Sequence, residues 1–256
     1  MMLDVERLDE TCIKKLANEE VLAIRVKGLL PRPLAKQIGE KILAPGFEGY
    51  INAPSIGRIG MAFYEAENQP LLIEDYFERA SRNIAELRNR CAPYSSPVDT
   101  LRCMLDETWP AGAHLENLYG RKMYVGLSRV VKPGVCFLAH HDIFAKDAPD
   151  SFQARSLEAQ FACNVYLSMP TEGGALQMWD HDISADQFDE MRGDSYGIDP
   201  NLLGTPTLEI RPEPGDFIMF NSRRMHSVTP GLEDPRLSLS FFVGYRGNAS
   251  PLTFWS

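Results

Sequence analysis

Three residues carry the chemistry that this sequence offers most plainly: His140 and Asp142 in LAHHDIF, and His226 in RRMHSVTPG. Two imidazoles and one carboxylate form a facial set of ligands that suits Fe(II) and leaves other coordination positions open. Zinc accepts the same donor types. Shortly after His226 comes Arg236-Leu-Ser238, whose first and last side chains share a face if the segment is a strand. A guanidinium gives a carboxylate two parallel charge-assisted bonds, and a hydroxyl adds a third. The pair is therefore a clamp for an organic acid, and it favours iron with a chelating acid over zinc.

Strand parity says which residues can converge. Positions i and i+2 point to the same side of a strand, so His140 and Asp142 can meet one ion while His141 points away. The chain has five histidines (His114, His140, His141, His181 and His226), and the third ligand must come from another strand. His226, at the start of a strand after GDFIMFNSRR, is the choice. Taken singly, each histidine reads as a hydrogen-bonded core residue and Arg236 as one half of a surface ion pair. The combination and its order favour a metal site. The surroundings of Arg236, PRLSLSFFVGY, are strongly apolar, and a buried arginine needs an anionic partner. A bound dicarboxylate would serve.

The elements that hold these residues change character along the chain. Asp9-Glu10-Thr11 opens a helix near 11–18, VLAIRVKGLL alternates like a strand, and LAKQIGEKIL reads as a second helix after Pro31 and Pro33. Residues 71–92 have apolar side chains at helical spacing and predict an amphipathic helix, with helical character again over 97–109. From residue 121 the segments are short, β-branched or aromatic, and divided by turns: RKMYVGLSRVV, GVCFLAHHDIF, AQFACNVYLSM, GGALQMWD, TLEIRP, GDFIMFN, MHSVTPG and RLSLSFFVGYRG. Eight such strands predict a mainly β domain with flanking α, a jelly roll buttressed by the N-terminal helices. We expect one domain over 1–256, with mostly helical support over 1–118 and the core over 119–256. The acidic segment 181–205, between strands, reads as a lid-like insert.

Composition narrows the function. Hydrophobic residues make up 44% of 256, enough for a sizeable core. A formal charge of -9 argues against nucleic acid and against an anionic membrane surface as partners. The opening MMLDVERLDETCIKKL has no apolar signal-peptide core, and no run approaches the roughly 20 apolar residues of a membrane span. Five scattered cysteines with no CxxC pair suggest a reducing compartment. The expectation is a cytoplasmic protein with a small-molecule substrate; the oligomeric state is not legible.

At its metal residues the chain resembles the 2-oxoglutarate/Fe(II)-dependent oxygenases. GDFIMFNSRRMHSVTPG looks like their second metal strand, and EGGALQMWD like the turn and strand before it. The resemblance covers about 119–256 and is closest to a free-standing small-molecule branch of N-acyl amino acid hydroxylases and hapalindole-type alkaloid halogenases. It rests further on SRVVKPGVCFLAHHD, NVYLSMPTEGGAL and the closing FWS. It implies that His140, Asp142 and His226 hold Fe(II), that Arg236 and Ser238 hold the distal carboxylate of 2-oxoglutarate, and that O2 is the second co-substrate. The halogenases carry Gly or Ala where this chain has Asp142, so the retained carboxylate implies hydroxylation or another oxidation.

Supporting residues are less determined. Tyr124 and Arg129 precede the metal strand at odd spacing, whereas Asn164 and Tyr166 share a face. Each pair has a structural reading beside a role near cofactor or substrate; Tyr124 and Asn164 are assigned to the cofactor side, Arg129 and Tyr166 to the substrate side. Phe144 should inherit the face of Asp142, and Trp179, after Gly173-Gly174, could wall the pocket. Arg223 could receive a substrate carboxylate, while the acidic stretch 180–194 could meet an amine; an amino acid, an amino acid derivative or a related natural-product intermediate satisfies both. Two other readings stay open: hydroxylation of a protein side chain, and a non-catalytic metal and 2-oxoglutarate sensor.

Overall fold

A computed structural model describes residues 1–50, 55–66, 69–181 and 183–256. Residue 182, within the expected insert, lies outside them. The chain starts with β1 (Met2–Val5), α1 (Glu10–Ala17), β2 (Ala23–Val26) and α2 (Arg32–Leu43). The Asp9 carboxylate accepts from the Cys12 amide at 2.7 Å and caps α1. Next come β3 (Glu48–Gly49), β4 (Ile56–Ile59), a 3-10 turn at Phe63–Ala66, α3 (Pro70–Cys91) and α4 (Pro97–Thr108). α3 and α4 each open on proline, where a missing amide proton costs nothing.

The second half runs β5 (Ala113–Leu115), β6 (Asn117–Leu118), β7 (Arg121–Lys122), β8 (Leu127–Val131), β9 (Phe137–His140), α5 (Phe144–Asp147), α6 (Phe152–Arg155), β10 (Ala159–Ser168) and β11 (Leu176–Met178). It ends with α7 (Ala185–Arg192), β12 (Leu208–Ile210), β13 (Phe217–Asn221), β14 (His226–Val228), β15 (Arg236–Tyr245) and β16 (Leu252–Trp255). All eight strand segments expected from the sequence contain a strand.

A large sheet runs β1-β2-β13-β10-β15-β8-β4-β3, with β16 joined to β15 and β5 to β16; a smaller sheet runs β12-β11-β14-β9. One apolar cluster joins the large sheet to the helices through Phe161, Cys163, Val165, Leu237, Leu239 and Phe241. A second fills the space between the sheets, with Ala162, Tyr166, Ile218, Phe220 and Phe242 from one sheet and Phe137, Leu176 and Val228 from the other. β10 and β15 are thus covered on both faces, which explains their almost unbroken apolar sequence. Parity puts Asn164, Tyr166, Arg236, Ser238, Ser240 and Arg129 on the inner face.

The N-terminal part is more than helical support. It contributes five strands to the large sheet, with β2 antiparallel to β13 and β4 antiparallel to β8. The β1 segment MLDV pairs parallel with β2. β2 lies inside VLAIRVKGLL, whose alternation is readable, whereas β1, β3, β4 and β5 are too short to show a period of two.

Candidate active site

β9 and β14 are neighbours in the small sheet, and their register sets His140 opposite His226. The imidazole centroids are 4.3 Å apart. β9 ends at His140, so Asp142 sits just past the strand rather than on it. Its amide donates to the Ser222 carbonyl at 2.8 Å, which turns the carboxylate back toward the histidines. Ligand atoms of His140, Asp142 and His226 all lie within 4.8 Å of one another.

The hydrogen bonds on the far side of each ring explain why these atoms want a cation. His140 Nδ1 is 2.8 Å from the Leu138 carbonyl, and His226 Nδ1 is 2.9 Å from the Arg224 carbonyl. A carbonyl only accepts, so each Nδ1 carries the proton and each Nε2 presents a lone pair. His226 Nε2 faces Asp142 Oδ2 at 3.4 Å, and that oxygen is buried without a hydrogen-bond partner. Ligands about 2.1 Å from one ion at right angles are about 3 Å apart, so the spacing fits a shared metal. Burial, with the neighbouring His226 second, pushes the His140 pKa down to about 4, which favours the ligating form. Burial would raise the Asp142 pKa, but His226, His140 and Arg129 outweigh it and keep the carboxyl well below its usual range.

Arg236 is 5% exposed, with its Nε lacking a partner; its guanidinium has Tyr166 Oη at 3.5 Å and lies 5.0 Å from that ring centroid. Burial lowers its pKa. Ser238 Oγ, on the same face, is also buried and unpartnered. A desolvated cation beside a free hydroxyl is the environment a carboxylate would complete. The residues therefore fit both groups the resemblance implies: a metal at the triad and a carboxylate at Arg236 and Ser238.

A cavity of about 580 Å³ opens on the triad, with His140, Asp142, Phe137, Tyr50, Tyr64 and Tyr196 in its wall. His141 is outside the converging set: its ring lies 4.5 Å from Phe188, and both stand in the wall of the same cavity. The described part of the insert, residues 183–205, is docked against β9: Leu138 N donates to Tyr196 Oη at 2.8 Å, and Ile198 forms a bridge with Ala139 on the free edge of β9. A Cβ at Gly197 would lie 2.8 Å from the Ala139 carbonyl, so this approach requires glycine.

Several residues singled out in the sequence stand elsewhere. Phe144 starts α5 instead of extending β9, and stacks on Trp255 at 4.4 Å in the core. Trp179 packs with Ala139, Phe188, Ile198 and Met225 under the insert, and its indole donates to the Gly204 carbonyl. Arg223 donates to the Leu157 and Glu158 carbonyls, anchoring the chain before β10. Tyr124 precedes β8 and donates to the Gly126 carbonyl at 2.5 Å, in a niche with Gly60 and Leu87 rather than at the triad. Tyr166 packs on Arg236, at the clamp rather than the open cavity. Asn164 is on the inner face of β10, 4% exposed. Tyr50, Tyr64, Lys146, Asp147, Phe188, Arg192 and Tyr196 line the cavity without having been foreseen. The tyrosines of the N-terminal half belong to no motif, and only the sheet brings them to the metal.

The family model of the 2OG-Fe(II) oxygenase superfamily matches residues 125–244. That stretch carries the triad and the arginine clamp, and over it the chain is similar to the 2-oxoglutarate/Fe(II)-dependent oxygenases, enzymes that use iron and 2-oxoglutarate. It is 27% identical over 206 residues to an L-gamma-glutamyl-L-propargylglycine hydroxylase of Streptantibioticus cattleyicolor, covering 78% of this chain and 74% of that one. It is 29% identical over 128 residues to an L-isoleucine 3(1)-dioxygenase of Pantoea ananatis, covering 46% and 42%. Among solved structures it shares its fold with an N-substituted L-amino acid dioxygenase of Burkholderia ambifaria, at 18% identity and a TM-score of 0.63, over 96% of this chain and 91% of that one. No helix among the described residues is long and apolar enough to cross a membrane.

Proposed function

We propose that this enzyme hydroxylates an unactivated C–H bond of a small amino acid or amino acid derivative, with His140, Asp142 and His226 as metal ligands and Arg236 with Ser238 as the anchor of 2-oxoglutarate. The carrying observation is the set of buried lone pairs on the triad, opening on a cavity of about 580 Å³. That volume lies within the roughly 300–1,000 Å³ of small-molecule sites. The relatives named for work on isoleucine and on a glutamyl dipeptide support the substrate class.

Iron, when bound, supplies dioxygen activation coupled to decarboxylation of 2-oxoglutarate to succinate. The protein positions and shields. Leu138 and Arg224 carbonyls fix the histidine tautomers, Asp142 supplies negative charge, and Arg236 with Ser238 sets the reach of the co-substrate from the metal. Phe137, which stacks on His140 with centroids 5.9 Å apart, and Tyr196 keep water from the reacting side. The docked insert suits a small molecule better than a protein side chain, which would need an open groove.

The test is aerobic incubation with Fe(II), 2-oxoglutarate and a panel of free, N-acylated and glutamylated amino acids, following succinate and a product with one added oxygen. Substrate-dependent succinate with matching hydroxylated product is expected. Tight 2-oxoglutarate binding without turnover on any panel member would favour the sensor reading instead.

A further inference from the structure

We propose that Arg129 and the hydroxyls of Tyr50 and Tyr64 form a subsite for a free carboxylate of the substrate, beside the metal. This rests on the reading of Arg236 as the anchor of 2-oxoglutarate. Arg129 lies on the inner face of β8 directly across from Ser238, so the sheet presents two cations to one interior. Arg129 Nε is buried without a hydrogen-bond partner, and among the described residues no carboxylate forms an ion pair with it. It lies within electrostatic reach of Tyr50, Tyr64 and Asp142. Tyr50 is 2% exposed, its buried hydroxyl is turned toward Arg129 and Tyr64 without a well-formed hydrogen bond to either, and its ring stacks on Tyr64 with centroids 5.9 Å apart. Both phenols lie in the cavity wall. Burial raises both pKa values, so both hydroxyls stay protonated and can donate. A guanidinium with two hydroxyl donors matches a carboxylate in charge and in hydrogen-bond capacity.

The charges of the interior point the same way. Asp142 offsets one of the two arginines. A divalent metal and a doubly charged 2-oxoglutarate cancel each other, with one carboxylate of the co-substrate at the metal and the other at Arg236. One positive charge then remains, at Arg129. At the cavity mouth Lys146 and Arg192 share one carboxylate, Asp189, at 3.9 and 2.8 Å, so they add no spare negative charge for Arg129. A buried cation without a counter-charge is costly, and a substrate carboxylate removes that cost. The substrate class is therefore one with a free carboxyl group, held so that the rest of the molecule runs from Arg129 past the metal toward the insert.

The experiment uses calorimetry on the full protein loaded with Mn(II) in place of Fe(II). It is titrated first with 2-oxoglutarate, then with free and N-acylated L-amino acids, each paired with its primary carboxamide. The wild type should prefer acid over amide by at least about tenfold. Arg129→Gln should weaken acid binding about thirtyfold or more, abolish the preference and leave 2-oxoglutarate affinity within about twofold. Arg129→Lys should restore part of the preference. Tyr50→Phe, a milder change that keeps the ring, should weaken acid binding about fivefold and leave the amide unaffected. Equal binding of acids and amides, or no acid-selective binding across the panel, would overturn the subsite. An equal loss of 2-oxoglutarate affinity in Arg129→Gln would assign Arg129 to the co-substrate and overturn it as well. Failure of the wild type to bind 2-oxoglutarate at all would instead sink the reading on which the subsite rests.

Discussion

The tautomers of two histidines decide how ready this site is for a metal. Because Leu138 and Arg224 hold the Nδ1 protons, both Nε2 lone pairs are left free, and that of His226 faces Asp142 at 3.4 Å. Asp142→Ala should lower metal affinity on the order of a hundredfold and abolish hydroxylation, as read by Mn(II) calorimetry and succinate release. Full retained activity would mean that the ligands are wrongly assigned. Arg236→Ala should raise the 2-oxoglutarate requirement far more than the metal requirement; equal losses would indicate misfolding. His141 supplies a pH test. Burial, with Lys146 second, pushes its pKa down to about 4. The unfolded chain binds that proton near pH 6.5 and the folded chain near pH 4, so stability is lost as pH falls through this window. The melting temperature of the metal-free protein should drop from pH 6.5 to 4, and drop less in His141→Gln; identical profiles would remove His141 as a cause.

At the scale of elements, the strands were legible because turns and apolar runs alternate so regularly after residue 121. The parity argument chose His140 over His141, and His140 is the one that groups with Asp142 and His226, but His141 lines the same cavity and β9 stops at His140. Asp142 converges through its bond to Ser222, a long-range contact that no local pattern encodes. The same early stop moved Phe144 into the core. Arg223 and Trp179 show the limit of reading residue type alone, since one anchors backbone carbonyls and the other roofs a small apolar cluster. Tyr50 and Tyr64 could not be found in the sequence, as they reach the cavity through β4 pairing with β8. The insert should act as a fixed wall. Tyr196→Phe removes the acceptor for Leu138 N and should cost about 1 kcal/mol of stability. It should raise the KM for substrate while sparing that for 2-oxoglutarate; an unchanged substrate KM would detach the insert from substrate binding.

At the scale of the molecule, the metal loop is tied to the last strand. Trp255 on β16 stacks on Phe144, and the Phe144 amide donates to Gln160 Oε1 at 2.9 Å on β10. Trp255→Ala should cost about 3–5 kcal/mol in denaturant unfolding and also weaken metal binding, because the segment after Asp142 loses its backing. A stability loss with unchanged metal affinity would separate the two.

The amide of Asp142, rather than its carboxylate, fastens this loop: it donates to Ser222, whose own amide donates to the Gln160 carbonyl. Every residue but proline carries that amide. The fastening of the loop is thus independent of the side chain at position 142, while the proposed metal ligation depends on it. Such a division makes the position evolvable. On the proposed ligation, Asp142→Gly would open a coordination position while leaving the bonds that fasten the loop in place.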